Sequence, residues 1–295
     1  MRIQLQDIAR RPWFHQDQYP FTPKEAHLPT GIMSYIDEGS GRPVIFVHGT
    51  PSWSFEYVPV IQELKSRFRC LAPDHLGFGF SSRPNADYSL WWHAKNFSDW
   101  VKSLNLDSFD IVTHDYGSLI AFPYLAANPE KVGKIVVLNS WLWPLETFDK
   151  SFKYKRLIAG SSWMKWLYLN GNFSARVMVK TGWGKNLDKY NIYQPYFTRL
   201  FPVPEFRLAT WAVAKLLTKQ ASEMREVLQT AIVLKNKPAA LIWGMHDKFL
   251  PAVHCEGWRE TLSVQQELQI ERAGHFPQLE NPSEVAAAIQ LFLES

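Results

Sequence analysis

Two cysteines, Cys70 and Cys255, are all that the 295 residues contain. They lack metal-site spacing, which excludes a disulfide-stapled scaffold and a cysteine-based zinc site. Buried free thiols are expected, with a single disulfide as the alternative. No apolar run approaches the roughly 20 residues that a spanning helix needs, and Met1 to Arg11 carries no signal-type apolar segment. There is no Gly-rich phosphate loop: Gly77-Phe78-Gly79 lacks the rest of a dinucleotide fingerprint and reads as a turn. Long basic runs are missing too, and the net charge is only +4, so neither a nucleic-acid nor a membrane partner is expected. No His, Cys and carboxylate cluster points to a metal. A cytoplasmic protein is the expectation.

What is present fits a sizeable core. Hydrophobic residues make up 46% and charged residues 20% of the chain, as in ordinary globular domains. Aromatics reach 15%, with 13 Trp; they imply a bulky core, an apolar pocket lined with rings, or both. The length suits one large α/β domain or two small ones.

Strand and helix patterns alternate along the first half. After an extended lead-in of about thirty residues, strands are predicted at 32–37, 44–47, 69–73, 110–113 and 134–138. Helices are predicted at 57–67, 90–104 and 118–127. From 139 to 217 the chain turns aromatic, Pro-broken and helical in short pieces. Strands resume at 239–243 and 265–270, and an amphipathic helix over 284–293 closes the chain. This order predicts an α/β fold with a mostly parallel central sheet and helices on both faces. Residues 1–138 and 218–295 form its core, and 139–217 form a helical cap inserted over the carboxyl edge, where such sheets bind ligands.

Phe109 to Ser118 carries the chemistry. Ile111-Val112-Thr113 ends a buried strand, Gly117 permits a sharp turn, and an apolar helix follows. A strand–turn–helix of this kind holds the residue at its tip strained and exposed above the sheet. Here the tip is Asp115. An aspartate after a strand is commonly just a turn former or helix N-cap, so its partners decide. Asp247 sits in the loop after one late strand and His275 in the loop after the last. The order Asp115, Asp247, His275 is nucleophile, acid, histidine, and a carboxylate nucleophile leaves an ester on the enzyme. In Val47-His48-Gly49-Thr50-Pro51, Gly49 lets the backbone close in. The amides of Thr50 and Tyr116 would then form a two-donor oxyanion hole. His48, His75 and His114 read as structural.

With these motifs the chain resembles the haloalkane dehalogenases and their epoxide-hydrolase relatives, members of the α/β-hydrolase superfamily. The resemblance runs from about Ile32 to the end. Its carriers are His48-Gly49-Thr50-Pro51-Ser52-Trp53, Pro73 to Gly79, Thr113 to Ser118, Asn139-Ser140-Trp141, Trp243 to Asp247 and Gly274-His275-Phe276. It implies displacement of a leaving group by Asp115 and hydrolysis of the ester by water that His275 activates. Asp247 orients His275, no cofactor takes part, and the substrate is a small apolar organic molecule. Many dehalogenases carry Trp after the nucleophile and Asn after His-Gly as leaving-group donors, where this chain has Tyr116 and Thr50. Tyr116, Asn139 and Trp141 are candidate replacements, with Trp143, Trp163, Trp166 and Trp183 behind them. Epoxide hydrolases would instead use paired cap tyrosines, for which Tyr168, Tyr190, Tyr193 and Tyr196 are available. The dehalogenase reading is favoured, epoxide hydrolysis is the alternative, and a pocket that only binds, as in receptor- or luciferase-like relatives, is the third.

Overall fold

Strands β1 (Lys24–Leu28), β2 (Gly31–Glu38), β3 (Pro43–Val47), β4 (Arg69–Pro73), β5 (Phe109–Asp115), β6 (Val132–Ser140), β7 (Pro238–Gly244) and β8 (Ser263–Ile270) form one sheet. Its order is β1-β2-β4-β3-β5-β6-β7-β8. The β1–β2 and β2–β4 pairs are antiparallel, and every pair from β4–β3 to β7–β8 is parallel. This is a computed structural model; it describes the backbone of residues 2–219 and 221–295, and their side chains except at 153, 155, 156, 218 and 219. Met1 and Gln220, which the sequence division assigns to the core, lie outside the described residues.

The central strands are apolar on both sides because both sides are covered. Val44 and Phe46 of β3 pack with Val136, Leu138 and the closing helix Pro282–Glu294 through Val285, Ile289 and Phe292. Ile45 and Val47, alternate residues of the same strand, face the other layer. There they meet Phe97 and Trp100 of the helix Leu90–Ser103, and Leu119 and Ile120 of the helix Gly117–Ala127. Each fully buried Val, Ile or Phe is worth about 1.5–3 kcal/mol, and a one-residue slip would reverse every face, so the register is fixed.

One strand went unread in the sequence. Lys24–Leu28 lies in the supposed lead-in, and Ala26 is its one buried residue. An edge strand of this composition carries almost no apolar alternation, so its place is set by pairing to β2. Among the described residues, the stretch between β6 and β7 holds no strand. It is built from Phe152–Ala159, Ser162–Gly171, Val179–Gly182, Leu187–Thr198, Leu208–Lys219 and Ala221–Thr230, with a π-helical turn at Ser174–Met178. Asn139 and Ser140 are the last residues of β6. Cys70 and Cys255 are buried free thiols, and burial pushes both up to about 12. No helix of the described residues is long and apolar enough to cross a membrane.

Candidate active site

β5 ends on Asp115, whose φ of +51° is rare for a residue with a side chain. Three hydroxyls brace it. Ser140 Oγ donates to the Asp115 carbonyl at 2.5 Å and lies 2.7 Å from Ser118 Oγ, which donates to Thr113 Oγ1 at 2.7 Å. Two glycines make the turn possible. A Cβ on Gly117 would sit 2.4 Å from the Val47 carbonyl oxygen, and one on Gly49 would sit 2.4 Å from Asp115 Oδ2. That close approach brings the Thr50 amide to Asp115 Oδ2, where it donates at 2.8 Å. The side chain is not exposed, as the elbow pattern suggests, but 6% accessible, because residues from beyond β6 cover the sheet edge.

Asp115, Asp247 and His275 meet. His275 Nε2 lies 3.3 Å from Asp115 Oδ1, and Nδ1 lies 2.7 Å from Asp247 Oδ2. Asp247 Oδ1 accepts from the amides of Phe249 at 2.8 Å and Leu250 at 3.1 Å. Asn139, a leaving-group candidate from sequence, belongs to this network instead. Its Nδ2 donates to Asp247 Oδ2 at 2.8 Å and to the Gly244 carbonyl at 3.3 Å, and its Oδ1 accepts from the Gly244 amide at 2.8 Å. Replacing it leaves a buried amide and one carboxylate oxygen short of a partner, each worth about 1–3 kcal/mol. Asn139→Ala is therefore expected to lower Tm in thermal unfolding and to cut kcat about 10- to 100-fold by loosening Asp247.

The charges fall on opposite sides of their ordinary values. Burial works to raise the Asp115 carboxyl, but the hydrogen bond and charge of His275, aided by His114 and the Thr50 amide, hold it lower. Burial works against a charged His275. The charge of Asp247 and the bonds to both aspartates outweigh it and carry the imidazole well above its usual range. The two-carboxylate cradle thus favours an imidazolium facing an ionised Asp115.

A second buried pair lies behind the first. His114 Nε2 donates to the His275 carbonyl at 2.6 Å, and its Nδ1 lies 3.0 Å from Glu56 Oε1. The His275 amide donates to the Gly182 carbonyl at 2.7 Å. Glu280 takes the amides of Gly274 at 2.8 Å and Gly184 at 2.9 Å, while burial pushes its carboxyl up to about 7. His48 lies 2.7 Å from the Gly49 carbonyl and accepts from the His75 amide, so it props the Thr50 loop as read from sequence. Glu56 and Glu280 were missed; a lone carboxylate inside an apolar run, as in Trp53 to Ile61, was the available signal.

Above Asp115 lies a cavity of about 180 Å³, walled by Trp141, Leu145, Phe152, Val179, Val213, Leu217, Phe249 and Phe276 among others. Of the leaving-group candidates, only Trp141 lines it, and its indole N–H donates to the Met224 sulfur at 3.4 Å. The Tyr116 ring is buried in the core beside His93, 6.1 Å between centroids, and is absent from the cavity wall. Trp143 donates to His254 and Trp183 to the Asn186 carbonyl, while Trp163 and Trp166 are exposed. Two hydroxyls outside that set of halide-donor candidates are better placed. Thr50 Oγ1 is buried without a partner, and Tyr168 lines the cavity, where burial and the Asp115 charge push its hydroxyl up to about 12.

Known proteins carry the same frame. Residues 42–282 match the model of the alpha/beta hydrolase fold family. Haloalkane dehalogenase 2 of Mycobacterium tuberculosis is 32% identical over 278 residues, 92% of this chain and 94% of that one. A cis-3-alkyl-4-alkyloxetan-2-one decarboxylase of Shewanella oneidensis is 26% identical over 88% of this chain and 85% of its own. The structure of haloalkane dehalogenase DatA from Agrobacterium tumefaciens superposes with a TM-score of 0.84 at 20% identity, covering 95% of this chain and 99% of that one. The chain therefore belongs to the α/β-hydrolase fold family and is an enzyme of its haloalkane dehalogenase-like branch.

Proposed function

We propose that the protein hydrolyses carbon–halogen bonds through an ester on Asp115. The observation that carries this is the single chain of contacts Thr50 amide–Asp115–His275–Asp247 beneath an apolar cavity. Oδ2 is held by the Thr50 amide, which leaves Oδ1, 3.3 Å from His275 Nε2, as the nucleophilic oxygen. It attacks the substrate carbon, the carbon–halogen bond breaks with its electron pair, and halide leaves. Alkylation cancels the Asp115 charge, one of the influences that keep His275 protonated, so the imidazole becomes a base when water must be activated. Hydroxide adds to the Asp115 carbonyl carbon, the amides of Thr50 and Tyr116 hold the oxyanion, and collapse releases the alcohol. Halide, alcohol and one proton are the net products. Residues 139–217 act as the cap that keeps water from the bond being broken.

The departing halide needs donors, since charge left unpaired in an apolar pocket is costly. The hydroxyls of Thr50 and Tyr168 fill that role in this account. Thr50→Ala keeps the backbone amide and Tyr168→Phe keeps the ring, so each removes a single O–H. Each is expected to lower kcat/KM for bromoalkanes about 10- to 100-fold, the worth of a hydrogen bond to a charge, in steady-state halide release.

Epoxide hydrolysis is less well supported. Of the four cap tyrosines only Tyr168 lines the cavity; Tyr196 is bonded to the His15 backbone, and Tyr193 packs on Phe55 and Trp183. A cavity of about 150 Å³ takes benzene, so one of about 180 Å³ suits short chains. Bromide release from 1-bromobutane and 1-bromohexane tests the reading. Diol from an epoxide, or carbon dioxide from a dialkyl-oxetanone, without halide release would overturn it.

A further inference from the structure

The helices Phe152–Ala159 and Ser162–Gly171 turn large apolar side chains to solvent. Tyr154 is 64% exposed, Leu157 72%, Ile158 68%, Trp163 64% and Trp166 53%. Trp163 and Trp166 stack face to face, 5.6 Å between centroids and 11° between planes. Large apolar side chains exposed on two successive helices, two of them stacked, mark an interaction site. The sequence of this segment is one-sided in charge. From residue 150 to 187 the sequence holds eight basic residues (Lys150, Lys153, Lys155, Arg156, Lys165, Arg176, Lys180 and Lys185) and no acidic one. As the whole chain is +4, the remainder is net −4.

We infer that this face docks on an anionic lipid surface. Exposed Trp, Leu and Ile among Lys and Arg, on short helices, is the composition that settles into the headgroup region. Tryptophan prefers that boundary, where its ring is buried while its N–H stays hydrated. A second copy fits less well, since it would bring together two segments that each carry a net +8. Both helices also reach the cavity, through Phe152 on the first and Tyr168 on the second. A docked protein would therefore take an apolar substrate that has partitioned into the bilayer without passing it through water. This differs from the sequence expectation of no membrane partner, and it requires no spanning helix. It stands independently of the dehalogenase reading, because docking is measured without substrate.

The test is co-sedimentation of the full chain with vesicles of phosphatidylcholine alone or with about one-third phosphatidylglycerol. Binding is expected to the anionic vesicles only, to weaken at high salt, and to fall about tenfold or more in Trp163→Ser/Trp166→Ser. That variant should keep the wild-type far-UV circular dichroism and Tm, which shows that it folds. The proposal fails if wild type stays in the supernatant, if it binds neutral vesicles equally, or if the double variant binds as well as wild type. It also fails if size-exclusion light scattering finds an oligomer that the double variant dissolves, for then the face belongs to a second copy.

Discussion

Asp115→Asn is expected to abolish halide release, by about 10⁴-fold or more in kcat, the scale seen when a nucleophile that acts as part of a unit is removed. The loss should come without unfolding. Asparagine tolerates the left-handed backbone that Asp115 occupies at φ +51°, and its carbonyl oxygen still accepts from the Thr50 amide. The three-hydroxyl brace through Ser140, Ser118 and Thr113 grips the backbone carbonyl rather than the side chain. Tm within a few degrees of wild type, together with lost turnover, is the expected pair of results. Retained bromide release would remove Asp115 from the nucleophile's role. A collapse of the fold would show that the buried carboxylate is mainly structural.

His275→Gln should separate the two halves of the reaction. Displacement of halide by Oδ1 needs no base, whereas hydrolysis of the ester does. Bromide should thus appear in a burst of one equivalent per active site, followed by turnover reduced about 10⁴-fold. Losing the His275 charge leaves burial, opposed by His114 and the Thr50 amide, to raise the Asp115 carboxyl, so the burst is read at pH 8 and above to keep Asp115 ionised. Unimpaired steady-state release would contradict the assigned base. Complete loss of the burst would mean that His275 is needed for alkylation as well.

The elbow and its partners were legible in the sequence because each depends on local features. An apolar strand end, Gly117 after the tip and Gly49 beside it leave one backbone geometry, and the chain order of Asp247 and His275 follows the sheet. Side-chain aim was not legible. Asn139 turns to Asp247, Trp141 gives its N–H to Met224, and the Tyr116 ring packs beside His93. These orientations come from packing with residues distant in sequence. The same holds for Tyr168, which lines the cavity, against Tyr196, tied to the His15 backbone. Neither differs from the other by any local pattern. Lys24–Leu28 failed for the opposite reason, as its pairing to β2 leaves scarcely any apolar signature.

The most direct test of the central claim is the site of the covalent bond. His275→Gln protein would be incubated with 1-bromobutane, digested and analysed by peptide mass spectrometry. One butyl group on Asp115, equal in amount to the bromide released and missing from the Asp115→Asn/His275→Gln protein, is the predicted result. Bromide release with no adduct, or an adduct on any other residue, would contradict it.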